Sequence, residues 1–267
     1  MSFEDSFDDR SVSKVEVTGA EARHYDLAMN VITAGTYPFF IRRVMRDMSI
    51  RPSDAILDLG AGTGRNACLM AHYLNDQGRI VGLDIGPEML EQAQRRCQHL
   101  PNVTFENRRV EEPLPYEETF DKALISFVLH GFVQEDRLHI VTNVHRALRP
   151  GGKFLILDYN EFEPEESFWP VRFAFRHIEC PLATDFVRRD WRTVLREQGF
   201  GNFQVHRYYL GYVRLLEAEK AERRPPLEAE ASDARRPDEL EEELEKAIGE
   251  AREDHAKADS RGGLREM

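Results

Sequence analysis

Gly60, Gly62 and Gly64 follow an apolar run that contains one acid, Asp58, in the stretch "ILDLGAGTGR" (56–65). Ordered glycines cost conformational entropy. Three together suit a backbone that turns sharply or that a ligand approaches closely. A second acid, Asp84, ends the next apolar run, "RIVGLD" (79–84). One carboxylate can accept from two ribose hydroxyls at once. A dinucleotide fingerprint would place a small residue at position 65, where this chain has Arg65, and a P-loop would need G-K-[ST]. Asp58 would repel a pyrophosphate but suits an ammonium, directly or by ordering the N–H groups of the loop. The ligand implied is a nucleoside with a cationic, amino-acid-like tail: S-adenosylmethionine.

The elements that must position these residues alternate in type. "AILDLG" (55–60), "RIVGLD" (79–84), "VTFENRRV" (103–110), a segment of "FDKALISFVLH" (120–130) and "KFLILDY" (153–159) predict five strands. Helices are expected over about 65–74, from Pro87 along a face with Met89, Ala93 and Cys97, over 135–148 with Leu138, Val141, Val144 and Leu148 inward, and over 190–200. Residues 161–188 read as irregular, aromatic and basic. "FQVHRYY" and "GYVRLLE" flank a tight Leu210-Gly211 connection, an antiparallel β-hairpin. The expected fold is an open, mostly parallel α/β sheet with a C-terminal antiparallel hairpin and helices on both faces. Ligands of such sheets sit beyond the C-terminal strand ends at the switch in strand order, where the glycine loop lies.

The chain resembles class I S-adenosylmethionine-dependent methyltransferases, which have a Rossmann-like fold. "ILDLGAGTGR" matches their first motif, "VGLDIGPEMLEQA" (81–93) their second-strand motif and "LRPGGKFLILD" (148–158) the turn into their fifth strand. In its core it is most similar to the ubiquinone/menaquinone C-methyltransferase group, which also carries Y-D and M-N in its N-terminal segment. That resemblance implies that Asp58, Gly60, Ala61, Gly62 and Gly64 surround the methionine half of the cofactor. It implies that Asp84 binds ribose and that Ile85 and Met89 pack on adenine, although Met89 equally fits the buried face of a helix. Arg109 and Val110 are expected to offer backbone to adenine, with Glu111 following, and Ser126 is grouped with the same site. Where that group has an Arg-Asn pair after the fourth strand, this chain has His130-Gly131, which places a quinone acceptor in doubt and leaves the methyl donor untouched.

Methyl transfer needs nucleophile, methyl carbon and sulfur in line and water excluded, so positioning dominates, and a base is needed only for a nucleophile that must lose a proton. His130, Tyr159 and Tyr25 are the substrate-facing candidates, His130 as base or as packing. An apolar pocket with a cationic rim is expected between the N-terminal segment and Phe168–His177, with Phe168, Trp169, Phe173, Phe175, Arg172 and Arg176. His177 and Glu179 have no ligand partner at helical spacing, so no metal is expected. The function expected is transfer of a methyl group to a small apolar or aromatic acceptor. The alternatives are a cofactor-binding subunit with an assembly or regulatory role, or a protein methyltransferase.

A formal charge of −12 argues against a nonspecific grip on nucleic acid. Residues 217–267 hold 17 acids and 10 bases and lose all aromatics, so a domain over 1–216 is expected, with a lid at about 17–50, a cap at about 161–188, and a charged tail behind it. The tail could engage a partner through Leu240, Leu244 and Ile248, and its removal from Glu217 is expected to leave stability unchanged. The N-terminal "MSFEDSFDDR" is acidic, unlike a secretory signal. Cys68, Cys97 and Cys180 stand far apart, which argues against a disulfide framework. No apolar run spans a bilayer, and a reducing cytoplasm is the expected compartment.

Overall fold

Ala55–Leu59 (β1) is buried along its whole length, as a central strand covered on both faces must be. Around it a computed structural model, described here for residues 35–177 and 181–221, builds a seven-stranded sheet. The other strands are Arg79–Asp84 (β2), Val103–Asn107 (β3), Phe120–Ser126 (β4), Leu148–Tyr159 (β5), Phe200–Tyr208 (β6) and Val213–Lys220 (β7), in the order β3-β2-β1-β4-β5-β7-β6. Strands β1 to β5 pair in parallel, and β7 is antiparallel to both β5 and β6. The strand order reverses between β1 and β4, which opens a crevice at their C-terminal ends.

One face of the sheet carries Tyr37–Asp47 (α1), Arg65–Ala71 (α2) and Pro87–Cys97 (α3), joined in one apolar cluster with Ile56, Leu155 and Leu215. The other carries Gln134–Ala147 (α4), Trp169–His177 (α5), Pro181–Val187 (α6) and Trp191–Glu197 (α7), packed on Ile156, Leu216 and Phe186. Asp190 caps α7 by accepting from the amides of Arg192 and Thr193.

The structure corrects the sequence at several points. Residues 161–188 are largely helical where described, not irregular: α5 and α6 are too short for a full periodic pattern to declare itself. The inward face of α4 is Arg137, Ile140, Val141 and Val144, with Leu138 half-exposed. A buried arginine takes a position that hydrophobic periodicity assigns to a leucine. Leu148 belongs to β5, which begins before the Gly151-Gly152 turn signal. Strand β7 runs past Leu216 to Lys220, where the Lys220 ammonium donates to the Leu148 carbonyl and Glu217 is buried against Lys153. A chain ending at Leu216 is therefore expected to melt at clearly lower temperature than one ending at Ala221, by thermal denaturation.

Cys68 and Cys97 form a disulfide, with Cα atoms 5.8 Å apart across a sequence separation of 29. The linear spacing hides the pair because β2 intervenes while α2 and α3 lie side by side. The reading that spacing argues against a disulfide falls at this pair, and with it the support that cysteine usage gave to a reducing compartment. No helix among the described residues is long and apolar enough to cross a membrane. The lid residues 17–34, Cys180 and the tail beyond Ala221 lie outside the described residues.

Candidate cofactor and acceptor site

Asp58 sits near the C-terminal end of β1 with a residue exposure of 1 %, and neither carboxylate oxygen has a hydrogen-bond partner among the described residues. Burial first, and then the charge of Asp84, push its carboxyl up to about 7. An orphaned buried acid beside a glycine loop fits a ligand that brings its own cation. The ammonium of S-adenosylmethionine would bring both charge and donors.

The glycines serve different ends. At Gly62 φ is +54°, and a Cβ would meet nothing within 4 Å, so the backbone there is left bare toward open space. At Gly64 φ is +73°, and a Cβ would come within 2.9 Å of the Ala93 Cα, so the loop can pack directly on α3. The close helix packing that a dinucleotide motif gives to its third small residue is met here at position 64. Ala61 is buried and donates from its amide to the Leu83 carbonyl at 2.8 Å, tying the loop to β2.

Asp84 ends β2 and holds the loop in place. One oxygen accepts from the Gly62 amide at 2.8 Å, the other from the Gly86 amide at 2.9 Å. Each oxygen keeps a second lone pair for a hydroxyl. Asp84→Ala is expected to weaken S-adenosylmethionine by at least about tenfold, the loss of charge-assisted hydrogen bonds and of loop order together. Unchanged affinity by titration calorimetry would remove Asp84 from the site.

A cavity of about 40 Å³ brings together Gly60, Asp84, Ile85 and Val110. Val128, Phe132, Arg108 and Glu111 complete its lining, and the first three were not singled out in the sequence. Glu111 was noted there only as the acid following Arg109 and Val110. Met89 is buried on α3 and does not line this space. The Arg109 side chain is exposed and pairs with Glu111 at 2.6 Å. Ser126 ends β4 opposite Leu157, half-buried and outside the cavity lining.

Strands β4 and β5 pair in register, Ser126 against Leu157, so the residues after them emerge together. Phe127 takes a left-handed φ of +54°, with its amide still donating to Leu157, and the chain then turns through Leu129–Gly131. This brings His130 Nδ1 to 2.8 Å from Asp158 Oδ1. Asp158 is buried and also accepts from the amides of His130 (3.3 Å) and Tyr159 (2.8 Å). The Tyr159 ring lies 5.1 Å from the His130 ring, 5.1 Å from Phe175 and 6.1 Å from Phe127.

Behind this pair Arg137, fully buried, donates to the carbonyls of Leu129 (3.2 Å), His130 (3.0 Å) and Leu182 (2.8 Å) and is ion-paired with Asp185. One guanidinium thus binds the turn that carries His130 to the α6 cap.

The expected cap is divided. Phe175 turns inward to Tyr159, whereas Phe168, Trp169, Phe173, Arg172 and Arg176 are exposed. Tyr25, Glu179 and the His177 side chain lie outside the described residues. The pairing of His130 with Asp158 was not anticipated, because their contact depends on register between strands joined by a helix.

Residues 56–152 match the family model described as "Methyltransferase domain". The chain is 30 % identical over 158 residues to a ubiquinone/menaquinone biosynthesis C-methyltransferase of Vibrio campbellii, covering 57 % of this chain and 60 % of that protein. It is 30 % identical over 158 residues to a demethylmenaquinone methyltransferase of Symbiobacterium thermophilum, covering 58 % and 60 %. It thus spans about three-fifths of the length of these relatives. Among solved structures, a SAM dependent methyltransferase from Aquifex aeolicus superposes with a TM-score of 0.53 at 18 % identity, covering 68 % of this chain and 89 % of that one.

Proposed function

We propose that this chain is an S-adenosylmethionine-dependent methyltransferase that transfers a methyl group to a small apolar or aromatic acceptor that must give up a proton, a reading supported by the match to a methyltransferase domain over residues 56–152. The observation that carries the proposal is the His130–Asp158 pair within an aromatic wall of Tyr159, Phe127, Phe175 and Phe186. A methyltransferase that only positions a neutral nucleophile needs no oriented base there.

When bound, the cofactor supplies an electrophilic methyl carbon and a good leaving group. Asp58 would hold the ammonium, Asp84 the ribose hydroxyls, and Ile85 and Val110 the faces of the base, with the Gly60–Gly64 backbone against the amino-acid half. Asp158 draws the Nδ1 proton of His130 toward itself, so the lone pair resides on Nε2, the atom that would take the acceptor's proton. The imidazolium formed is stabilised by the same carboxylate, and the ring's orientation is fixed before the acceptor arrives. Tyr159 packs against the imidazole and limits the room for water. One of the relatives reported above is by name a C-methyltransferase, and an acidic C–H or O–H acceptor fits a site built around a base.

Mass spectrometry of ligands released from the purified protein tests the reading. S-adenosylmethionine or S-adenosylhomocysteine is expected. Methyl transfer from labelled cofactor to apolar phenols, quinols or 1,3-dicarbonyls should then be found. A protein that binds neither nucleoside by calorimetry would overturn it.

A further inference from the structure

On the outer side of α1 and α2 an open groove of about 710 Å³ lies between the helices, with Phe39, Arg42, Arg43 and Arg46 on one wall and His72 and Tyr73 on the other. It runs into a second depression of about 370 Å³ that shares Arg42 and His72 and adds Arg65 and Arg96. Five arginines therefore line one continuous surface, and among the described residues no Asp or Glu does. This happens in a chain whose acids outnumber Lys and Arg by 48 to 36. Arg42 and Arg46 are exposed and ion-pair with no carboxylate among the described residues, and Arg43 pairs with Asp47 at 3.8 Å and lies over the Tyr208 ring. Phe39 and Tyr73 are exposed beside them. The surface asks for an anionic occupant that also carries apolar rings.

We propose that residues 1–9 of the same chain, "MSFEDSFDD", dock in this groove. The carboxylates of Glu4, Asp5, Asp8 and Asp9 would meet Arg42 and Arg46, and the rings of Phe3 and Phe7 would cover Phe39 and Tyr73. Three observations favour this occupant. Its four acids and two phenylalanines complement the groove in both charge and apolar content, with no base before Arg10. The described chain enters α1 at Gly35 and Thr36, beside Pro38 and Phe39 of the groove itself. The connecting residues, 10–34, number 25, and a coil of that length would span about 25–30 Å, further than the roughly 16 Å length of an 11-residue helix such as α1. A tethered segment is present at millimolar effective concentration. A long external polyanion such as a nucleic acid must instead approach against the overall charge of −12. The proposal is independent of which acceptor is methylated.

The test uses the full chain with p-benzoylphenylalanine in place of Phe3, irradiated at low micromolar concentration and mapped by peptide mass spectrometry. Crosslinks within one molecule to peptides holding Phe39–Arg46 or Leu69–Tyr73 are expected. They should fall at least tenfold in Arg42→Glu/Arg46→Glu and in 0.5 M salt, with thermal stability and cofactor affinity kept, since both arginines are exposed and outside the cofactor site. The salt arm stands on the unsubstituted groove should the double variant fail to fold. Crosslinks that map elsewhere, that form only between molecules, or that persist through charge reversal and salt would overturn the proposal.

Discussion

Asp58→Asn is expected to stabilise the cofactor-free protein at pH 8 and to weaken cofactor binding. The first effect follows from burial. The folded carboxyl titrates at about 7, against 3.8 for its unperturbed form, so the folded state holds the proton more tightly than the unfolded state. The stability this gives is fully present below about pH 4, declines as pH rises, and is gone above about 7. The span corresponds to about 4 kcal/mol. Asparagine cannot ionise and escapes that decline, so a gain on the order of 2–4 kcal/mol at pH 8 is expected, shrinking to little at pH 4. The second effect has the opposite sign because an ammonium needs the charged form. In the wild type, affinity for S-adenosylmethionine should rise about tenfold per pH unit up to about 7, with proton release, and then level. In the variant it should be flat from pH 5.5 to 7 and about 10- to 100-fold weaker at neutral pH, the value of hydrogen bonds to a charged group. Chemical denaturation at pH 5 and 8, with calorimetry in buffers of different ionisation enthalpy, reads both. A variant less stable than wild type at pH 8 would mean that Asp58 is not the strained acid described.

His130→Ala should lower kcat by about 10²- to 10⁴-fold, the range for loss of a positioned general base. Affinity for S-adenosylmethionine should stay within about twofold, since His130 does not line the cavity that holds Gly60 and Asp84. Asp158 is a positioning residue. Asp158→Asn can donate to the imidazole or accept from it, so the lone pair is no longer held on Nε2. A fall in kcat with little change in the acceptor KM is expected, together with a displaced acid limb of the pH–rate profile. A merely structural Asp158 would lower stability and leave that limb in place. Single-turnover transfer from labelled cofactor makes the measurement. Full turnover in His130→Ala would reduce the histidine to packing.

The sheet, its closing hairpin and the cofactor loop were legible because their signals are local. "AILDLG" is short and apolar between turn residues, and the acids Asp58 and Asp84 stand at strand ends that any parallel α/β sheet brings together. What was missed depends on contacts between distant segments. The Cys68–Cys97 bond needs α2 beside α3, and the His130–Asp158 pair needs the register of β4 on β5. Arg137 was unreadable because a buried arginine breaks the pattern that otherwise identifies a helix's inner face, and its partners lie on another element. The cap helices α5 and α6 were read as irregular. Each is short, and Phe168, Trp169 and Phe173 face outward, which blurs any apolar stripe.

Arg137 also sets a cost on one way of opening the site. Swinging α6 aside to admit an acceptor would strip the guanidinium of Leu182 and Asp185 while it stayed buried against Leu129 and His130. Breaking a buried ion pair in this way costs about 3–5 kcal/mol. Such an open form would make up about one molecule in 10² to 10⁴ at rest. Exchange by that route would be a rare event, and each opening would disturb the turn that holds the base. An acceptor path that leaves α6 seated would avoid this cost.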